Sequence, residues 1–358
     1  NKFFLTILIS VFLSSCGFSP IYTGNSKQVI ISKSEIVGDK DLAFNLEQKL
    51  NKTIKGQKRK SLLKTIRKKQ WRVMQCIVKE FSNGSFATEF QEFLNSLNGK
   101  IPEGIFVFSL TDAQILREDG KEPWQMITGS KDLGLYKFNK HLPLLAYSGQ
   151  QGYWDIPIPT QDDIDYVKNP QDIPNIEWSQ KIQKAVFRGN PTGCGYTTET
   201  NMRLKISTLN SPLLDAGIIQ NKSSSLKFDP IEGLGELNQA QIKKVPKLDL
   251  INEQIKFKYI VHIDGNVLAY RLLKSMLLGS LILRVRSPYI HWLDHIMEEG
   301  KHFIYVKEDL LDLEQRIEWC IQNDTKAKKI AQQGQRFAQK VLTKDFINKY
   351  FLKLLKSL

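Results

Sequence analysis

Residues 257–285, FKYIVHIDGNVLAYRLLKSMLLGSLILRV, narrow the folds open to this chain more than any other segment. Residues 257–263 are rich in aromatic and β-branched side chains, the pattern of a buried strand. Asp264-Gly265-Asn266 then supplies turn chemistry, because Gly and Asn tolerate the positive φ that sharp turns use. Leu268, Leu272, Met276 and Leu277 recur at helical spacing, which predicts an amphipathic helix over 267–278 that Gly279 stops. A second apolar run, Leu281-Ile282-Leu283, follows at once. The segment is therefore a β-α-β unit. In such units ligands bind at the carboxyl ends of the strands, beside helix amino termini whose N–H groups favour anions. Arg271 falls about one turn into the expected helix, within reach of a bound diphosphate. The alternative is an arginine snorkelling on an ordinary β-α-β helix.

The bulk numbers fit a folded chain with room for two cores. It has 358 residues, 41% of them hydrophobic. The net charge of +14 is concentrated, since eleven Lys or Arg and no acidic residue lie between Lys49 and Arg72. Such a block suits a solvated linker helix or an anionic partner. Leu62, Leu63, Ile66 and Trp71 are interleaved with the charges and favour a membrane surface over nucleic acid, which is not expected as a partner. Cys16, Cys76, Cys194 and Cys320 are far apart and form no CxxC pair, and the five histidines are scattered. No metal site or disulfide framework is expected from that spacing.

Asn1-Lys2 followed by an apolar run to Leu13 is too short for a bilayer-spanning helix. It ends in Leu13-Ser14-Ser15-Cys16, which resembles a bacterial lipobox with Cys16 as the lipidation candidate. Gly17-Phe18-Ser19-Pro20-Ile21-Tyr22 resembles the start of the lipopolysaccharide-assembly lipoprotein of the outer membrane. That resemblance covers about the first fifty residues, and the leader is read as a fusion or artefact.

Further along, residues 105–110 read as a strand ending at Thr111-Asp112, and 154–159 as an extended Pro-rich segment. Asp162, Asp163 and Asp165 contain a DxD spacing, which in some glycosyltransferases holds a divalent metal. Here it reads as a solvated loop. Residues 178–184 suggest a short helix. KAVFRGNPTGCG then runs a strand into a Gly-rich loop, with Arg188 at its mouth and backbone N–H groups that can cradle an anion. The loop lacks the Gly-Lys-Ser/Thr triplet of a Walker loop. Residues 202–209 read as helix, 223–243 as a polar insertion, 302–306 as a strand, and 309–322 and 326–342 as amphipathic helices. Strands alternating with helices at this rhythm predict an α/β, doubly wound design.

Taken together, FRGNPTG, YIVHIDGNVLAYRLLKSMLLGSLIL, SPYIHWLDHIMEEGKHFIYVKEDLLDLEQRIEWCIQND and AKKIAQQGQRFA resemble glycosyltransferase family 90, which includes the Rumi-type protein O-glucosyltransferases and fungal capsule xylosyltransferases. The resemblance runs over 101–342. It implies an α/β, GT-B-like pair of Rossmann-type lobes with a nucleotide-sugar in the cleft, and inverting transfer of a hexose or pentose without a metal. It assigns Arg188 and Arg271 to the UDP diphosphate, and Asp112 to the base that deprotonates the acceptor hydroxyl. Gly189, Thr192, Gly193, Asp264 and Gly265 fall on positions that shape the donor pocket. The expected division is a leader over 1–16, a lipoprotein-like segment and linker over 17–57 and an acceptor-side lobe over 58–175. A nucleotide-sugar-binding lobe over 176–342 and a closing helix over 343–358 complete it. The expected partners are a UDP-sugar and a glycan or lipid-linked acceptor such as lipopolysaccharide. The expected location is the cytoplasm, peripheral at the inner membrane through Lys49 to Arg72. A non-catalytic envelope lipoprotein that binds glycan or lipopolysaccharide is the competing reading, suggested by Cys16.

Overall fold

The computed structural model describes residues 6–9, 29–31, 86–97, 99–102, 106–109, 114, 144–219, 226–229, 233–237 and 242–358. Asp112, Cys16 and the basic block between Lys49 and Arg72 lie outside the described residues.

The first lobe is a five-stranded sheet. Strand β1 (Thr6–Ile9) pairs antiparallel with β2 (Val29–Ile31) at one edge and parallel with β3 (Val107–Ser109) on its other side. Helix α1 (Phe86–Ser96) precedes β3, and β4 (Leu144–Ala146) pairs parallel with it. A two-residue strand β5 (Gly149–Gln150) leaves the sheet before β6 (Asp155–Pro157) closes it in parallel beside β4. Helix α2 (Gln161–Lys168) follows directly.

The second lobe begins with β7 (Ile182–Gly189), α3 (Met202–Thr208) and β8 (Leu214–Ile219). A hairpin of β9 (Leu226–Asp229) and β10 (Gly233–Glu236) occupies the polar insertion, and β11 (Lys244–Val245) follows. Then come β12 (Phe257–His262), α4 (Leu272–Leu277), β13 (Leu281–Val285), the short β14 (Tyr289–Ile290) and β15 (Ile304–Val306). The order across the six-stranded sheet is β11-β8-β7-β12-β13-β15, with every neighbouring pair parallel. Renumbered within the lobe, that is 3-2-1-4-5-6, the Rossmann order. It places a topological switch point between β7 and β12. Both sheet faces are covered, which explains the unbroken apolar runs. Val186, Ile260 and Ile282 belong to one core, while Phe187, Tyr259, Val261 and Leu283 belong to the other.

Helices α5 (Leu313–Gln322), α6 (Asp324–Val341) and α7 (Lys344–Ser357) complete the chain. Helix α7 packs on the first lobe, where the Phe351 ring meets Phe90, Phe93 and Phe108 at centroid distances of 6.1, 5.2 and 6.1 Å. The lobes also join through antiparallel pairing of β5 with β14, and through the Trp292 Nε1–H, which donates to Asp163 Oδ2 at 2.8 Å.

Three sequence expectations need correction. The helix expected over 267–278 is only the six residues of α4, because tertiary partners hold its first turns open. Asp264 Oδ1 accepts from Ala269 N–H at 2.8 Å, Gly265 N–H donates to Val267 O at 2.8 Å, and Asn266 O accepts from the Tyr289 hydroxyl at 2.6 Å. Val267 and Leu268 are buried as expected, but from a loop. The DxD aspartates are not in a solvated loop either. Asp162 and Asp163 lie in the first turn of α2 and Asp165 in the next; Thr160 and Asp163 make a reciprocal capping box, and Asp163 is fully buried. Finally, the short helix expected over 178–184 is a single 3-10 turn, Trp178–Gln180, and β7 has already begun by Ile182.

Candidate functional site

The loops leaving β7 and β12 meet at the switch point, and a buried arginine that the motifs did not single out holds them together. Arg203, in α3, donates from Nε to Asp264 O at 3.0 Å and from Nη2 to Ile263 O at 2.9 Å. Its Nη1 reaches Asn190 O at 3.2 Å and Thr192 Oγ1 at 2.5 Å. One guanidinium thereby fixes the floor of both loops, and the Thr192 hydroxyl is oriented by it. Asn201, the N-cap of α3, accepts from Arg203 N–H and Leu204 N–H and donates from Nδ2 to Gly195 O at 3.2 Å. The Gly193 N–H is taken by Asn266 Oδ1 at 3.0 Å.

Two glycines permit this approach. Gly193 has a φ of +109°, a region that side chains with a Cβ rarely adopt. A Cβ on Gly265 would lie 2.7 Å from Thr192 Oγ1, so the loops close only with hydrogen at that position.

The two arginines expected to share a diphosphate sit in unlike surroundings. Arg188 is buried, and its Nη2 pairs with Asp215 Oδ1 at 2.8 Å. Its Nε donates to Pro246 O at 3.2 Å, and its Nη1 to Phe187 O at 3.0 Å and Asp215 O at 2.9 Å. That guanidinium is directed at β8 and at the chain just after β11. Arg271 is the N-cap residue of α4, and among the described residues its one hydrogen bond runs from Nη2 to Arg188 O at 2.7 Å. Its guanidinium stands 6.0 Å from the Phe187 ring centroid. Burial pulls the pKa of Arg271 below the usual arginine value, with Asp162 opposing. A half-buried cation with four N–H groups uncommitted among the described residues is a ready partner for an anion.

Asp264 is a structural carboxylate. Burial pushes its pKa up, but the hydrogen bond from His262, the Arg284 charge and the Ser287 hydroxyl hold it at about 2. His262 itself is driven below its usual value by burial, with the Arg271 and Arg284 charges adding to the fall. It therefore faces Asp264 Oδ1 at 3.5 Å as a neutral imidazole.

Across the lobes, Asp163 accepts at Oδ2 from Thr160 N–H, the Thr160 hydroxyl and Trp292. Burial raises its pKa to about 7 against these bonds. An inter-lobe cavity of about 370 Å³ lies between α2, the 249–252 turn and α4, with Arg271 on its wall. Among the described residues no group of three His, Cys, Asp or Glu is arranged to hold a metal ion, and no helix is long and apolar enough to cross a membrane.

The structure thus brings together Gly189, Thr192, Gly193, Asp264, Gly265 and Arg271, with Arg188 beneath them. Sequence reasoning missed Arg203, Asn266 and the Asp163–Trp292 contact. Asn201 four residues before Lys205 carried an N-cap signal, but nothing marked Arg203 as a brace.

Two Rossmann-type α/β lobes with a loop-lined switch point facing the inter-lobe cleft define a GT-B-like protein. The chain belongs to glycosyl transferase family 90, whose sequence profile matches residues 85–358. It is 33% identical over 266 residues to protein 035R of Invertebrate iridescent virus 3, covering 68% of this chain and 24% of that protein. It is 31% identical over 225 residues to protein O-glucosyltransferase 3 of Homo sapiens, covering 60% of this chain and 41% of that protein. The chain therefore spans less than half the length of these relatives. The crystal structure of Anabaena HepE in complex with UDP-glucose aligns with a TM-score of 0.36 at 13% identity, covering 71% of this chain and 79% of that one.

Proposed function

We propose that this chain transfers a hexose or pentose from a UDP-sugar to a hydroxyl, with inversion and without a bound metal. The observation that carries the reading is Arg271, a half-buried guanidinium with a single side-chain hydrogen bond, at the switch point of a Rossmann-ordered sheet. Membership of glycosyl transferase family 90 and the likeness to human protein O-glucosyltransferase 3 support the same reading.

Departure of UDP builds negative charge on the β-phosphate. A preorganised cation in a low-dielectric site stabilises that charge more than water does. Arg203 keeps the Gly-rich loop after β7 in place beside that cation. An inverting displacement also needs a base on the face opposite the leaving group. Asp112, three residues after β3, fills that role in this proposal, and the acceptor is a glycan hydroxyl of the lipopolysaccharide type. Asp112→Asn is expected to lower kcat by about 10²–10⁴-fold with UDP affinity unchanged, as read by steady-state kinetics. Near-parental turnover would remove Asp112 from the mechanism.

Calorimetric titration of UDP into the full chain with EDTA present tests the donor site. Saturable binding that Arg271→Ala loses is the expected result. Absence of binding, or equal binding by the variant, overturns the donor site, and binding that appears only with added divalent metal overturns metal independence.

A further inference from the structure

Residues 287–294, between β13 and β15, form a strap that bonds both lobes. Tyr289 and Ile290 make β14 against β5 of the first lobe, with Tyr289 opposite Gln150 and Ile290 opposite Gly149. Beside that pairing Gln151 N–H donates to Pro288 O at 3.2 Å, and Trp292 reaches Asp163 a little further on. The same strap grips the second lobe. The Ser287 hydroxyl donates to Asp264 Oδ2 and the Tyr289 hydroxyl to Asn266 O, each at 2.6 Å. Both neighbours of Gly265 are therefore held from the strap. Asn266 passes the contact on, because its Oδ1 accepts from Gly193 N–H at 3.0 Å in the Gly-rich loop after β7.

We propose that Tyr289 is a positioning residue: through Asn266, its hydroxyl sets the place of the Gly-rich loop according to how the first lobe sits on the second. Naming that loop as part of a donor site rests on the glycosyltransferase reading, whereas the mechanical link does not.

Backbone pairing of β5 with β14 fixes the Tyr289 Cα relative to the first lobe. The phenol ring is a rigid spacer with a polar tip, so a displacement of the strand reaches the hydroxyl nearly undiminished. A flexible side chain of the same length would absorb it. At the far end Asn266 accepts through its main-chain oxygen and its amide oxygen at once, so the two contacts move together. Arg203 braces the same loops from within the second lobe. The Tyr289 link differs in kind, because the strand that carries it pairs with the first lobe. A ligand that displaces the first lobe would therefore change UDP affinity, and UDP would change that ligand's affinity by the same factor.

Gly149 offers a lever on the first-lobe side. A Cβ there would meet Pro157 Cδ at 3.2 Å, Asp155 O at 3.3 Å and Ile290 Cβ at 3.3 Å, so Gly149→Ala presses on β14 by a few tenths of an ångström.

The Gly193 amide reports the link directly by NMR on the full chain. Carbonyl-labelled threonine with nitrogen-labelled glycine restricts the signals to Thr23-Gly24, Thr128-Gly129 and Thr192-Gly193, and Thr192→Ser, which erases one, identifies Gly193. Without UDP, Tyr289→Phe is expected to move the Gly193 signal at a Tm near the parental value. Gly149→Ala is expected to move it too, and to lose that effect in the Tyr289→Phe background. In UDP titrations each single variant is expected to bind about fivefold more weakly, and the double variant no more weakly than Tyr289→Phe alone. Should Gly149→Ala fail to fold, Trp292→Phe, which deletes the bond to Asp163, takes its place. A tyrosine that serves stability alone would lower Tm and leave the two substitutions additive at Gly193, and that result overturns the proposal. So does a Gly193 signal unmoved by Tyr289→Phe, or equal UDP affinity in parent and variants. A Gly193 response with no UDP binding by the parent would sink the donor reading alone, and UDP binding with an unresponsive Gly193 would sink this one alone.

Discussion

Arg188 and Arg271 occupy neighbouring motif positions in space, and the second donates to the main-chain oxygen of the first. Their guanidinium groups nonetheless have opposite fates. Arg188 makes four hydrogen bonds, one of them an ion pair with Asp215, and is 6% exposed. Arg271 makes one and borders a cavity. A motif fixes where the backbone goes, while the acceptors nearby decide what the side chain does. Arg188 lies in a strand flanked by β8 and finds Asp215 there; Arg271 caps a helix whose first turns are held open, so few acceptors reach it.

The sharpest way to break this comparison is paired truncation. Arg271→Ala is expected to lower kcat/KM by about 10²–10³-fold, with a melting temperature near that of the parent. Arg188→Ala is expected to lose about 2–3 kcal/mol of stability in chemical denaturation, because Asp215 and the Pro246 carbonyl lose their partner. Its folded fraction should still bind UDP. Equal loss of UDP affinity in two stable variants would mean that both side chains serve the ligand.

A smaller effect is expected at Gly265, where an added Cβ would sit 2.7 Å from Thr192 Oγ1. Gly265→Ala should reduce stability by about 1–2 kcal/mol and weaken UDP binding several-fold, since Arg203 holds the two loops at one spacing. Unchanged thermal melting and UDP titration would show that the loops can part without consequence.

A pH titration separates the switch point from the lobe contact. The pKa of Asp163 is raised from 3.8 to about 7 in the folded chain, so the folded state holds its proton where the unfolded state has lost it. Its contribution to stability is full at about pH 4 and below. It declines as pH rises towards 7, by at most about 1.4 kcal/mol per pH unit, and is flat above. Asp163→Asn should flatten the denaturation midpoint across that window. Asp264, held at about 2 in the folded chain, adds a slope of the opposite sign only below about pH 5, where the unfolded carboxyl begins to take up its proton, and none between about pH 5 and 7. A variant that keeps the parental slope would assign it to other groups.

The parallel strands were legible because burial on both faces writes itself as apolar runs, as in Leu281 to Val285. That the loops after β7 and β12 shape one site was legible only through the family resemblance, which puts Gly193 and Gly265 on donor-pocket positions. The rest depended on partners far away in sequence. The late start of α4 depends in part on Tyr289, whose hydroxyl holds Asn266 O from 23 residues downstream. The burial of Asp163 depends on Trp292, 129 residues distant. Arg203 reads locally as a basic residue on a short helix, yet two of its acceptors lie 60 and 61 residues downstream. A local pattern carries no record of such pairings.

Helix α7 has a consequence for how the chain comes off the ribosome. The aromatic cluster of the first lobe, Phe90, Phe93 and Phe108, is completed by Phe351, which is translated more than two hundred residues later. Until Phe351 has been made, the aromatic cluster of the nascent first lobe lacks its fourth ring, so the lobe made first is completed by the last helix of the chain.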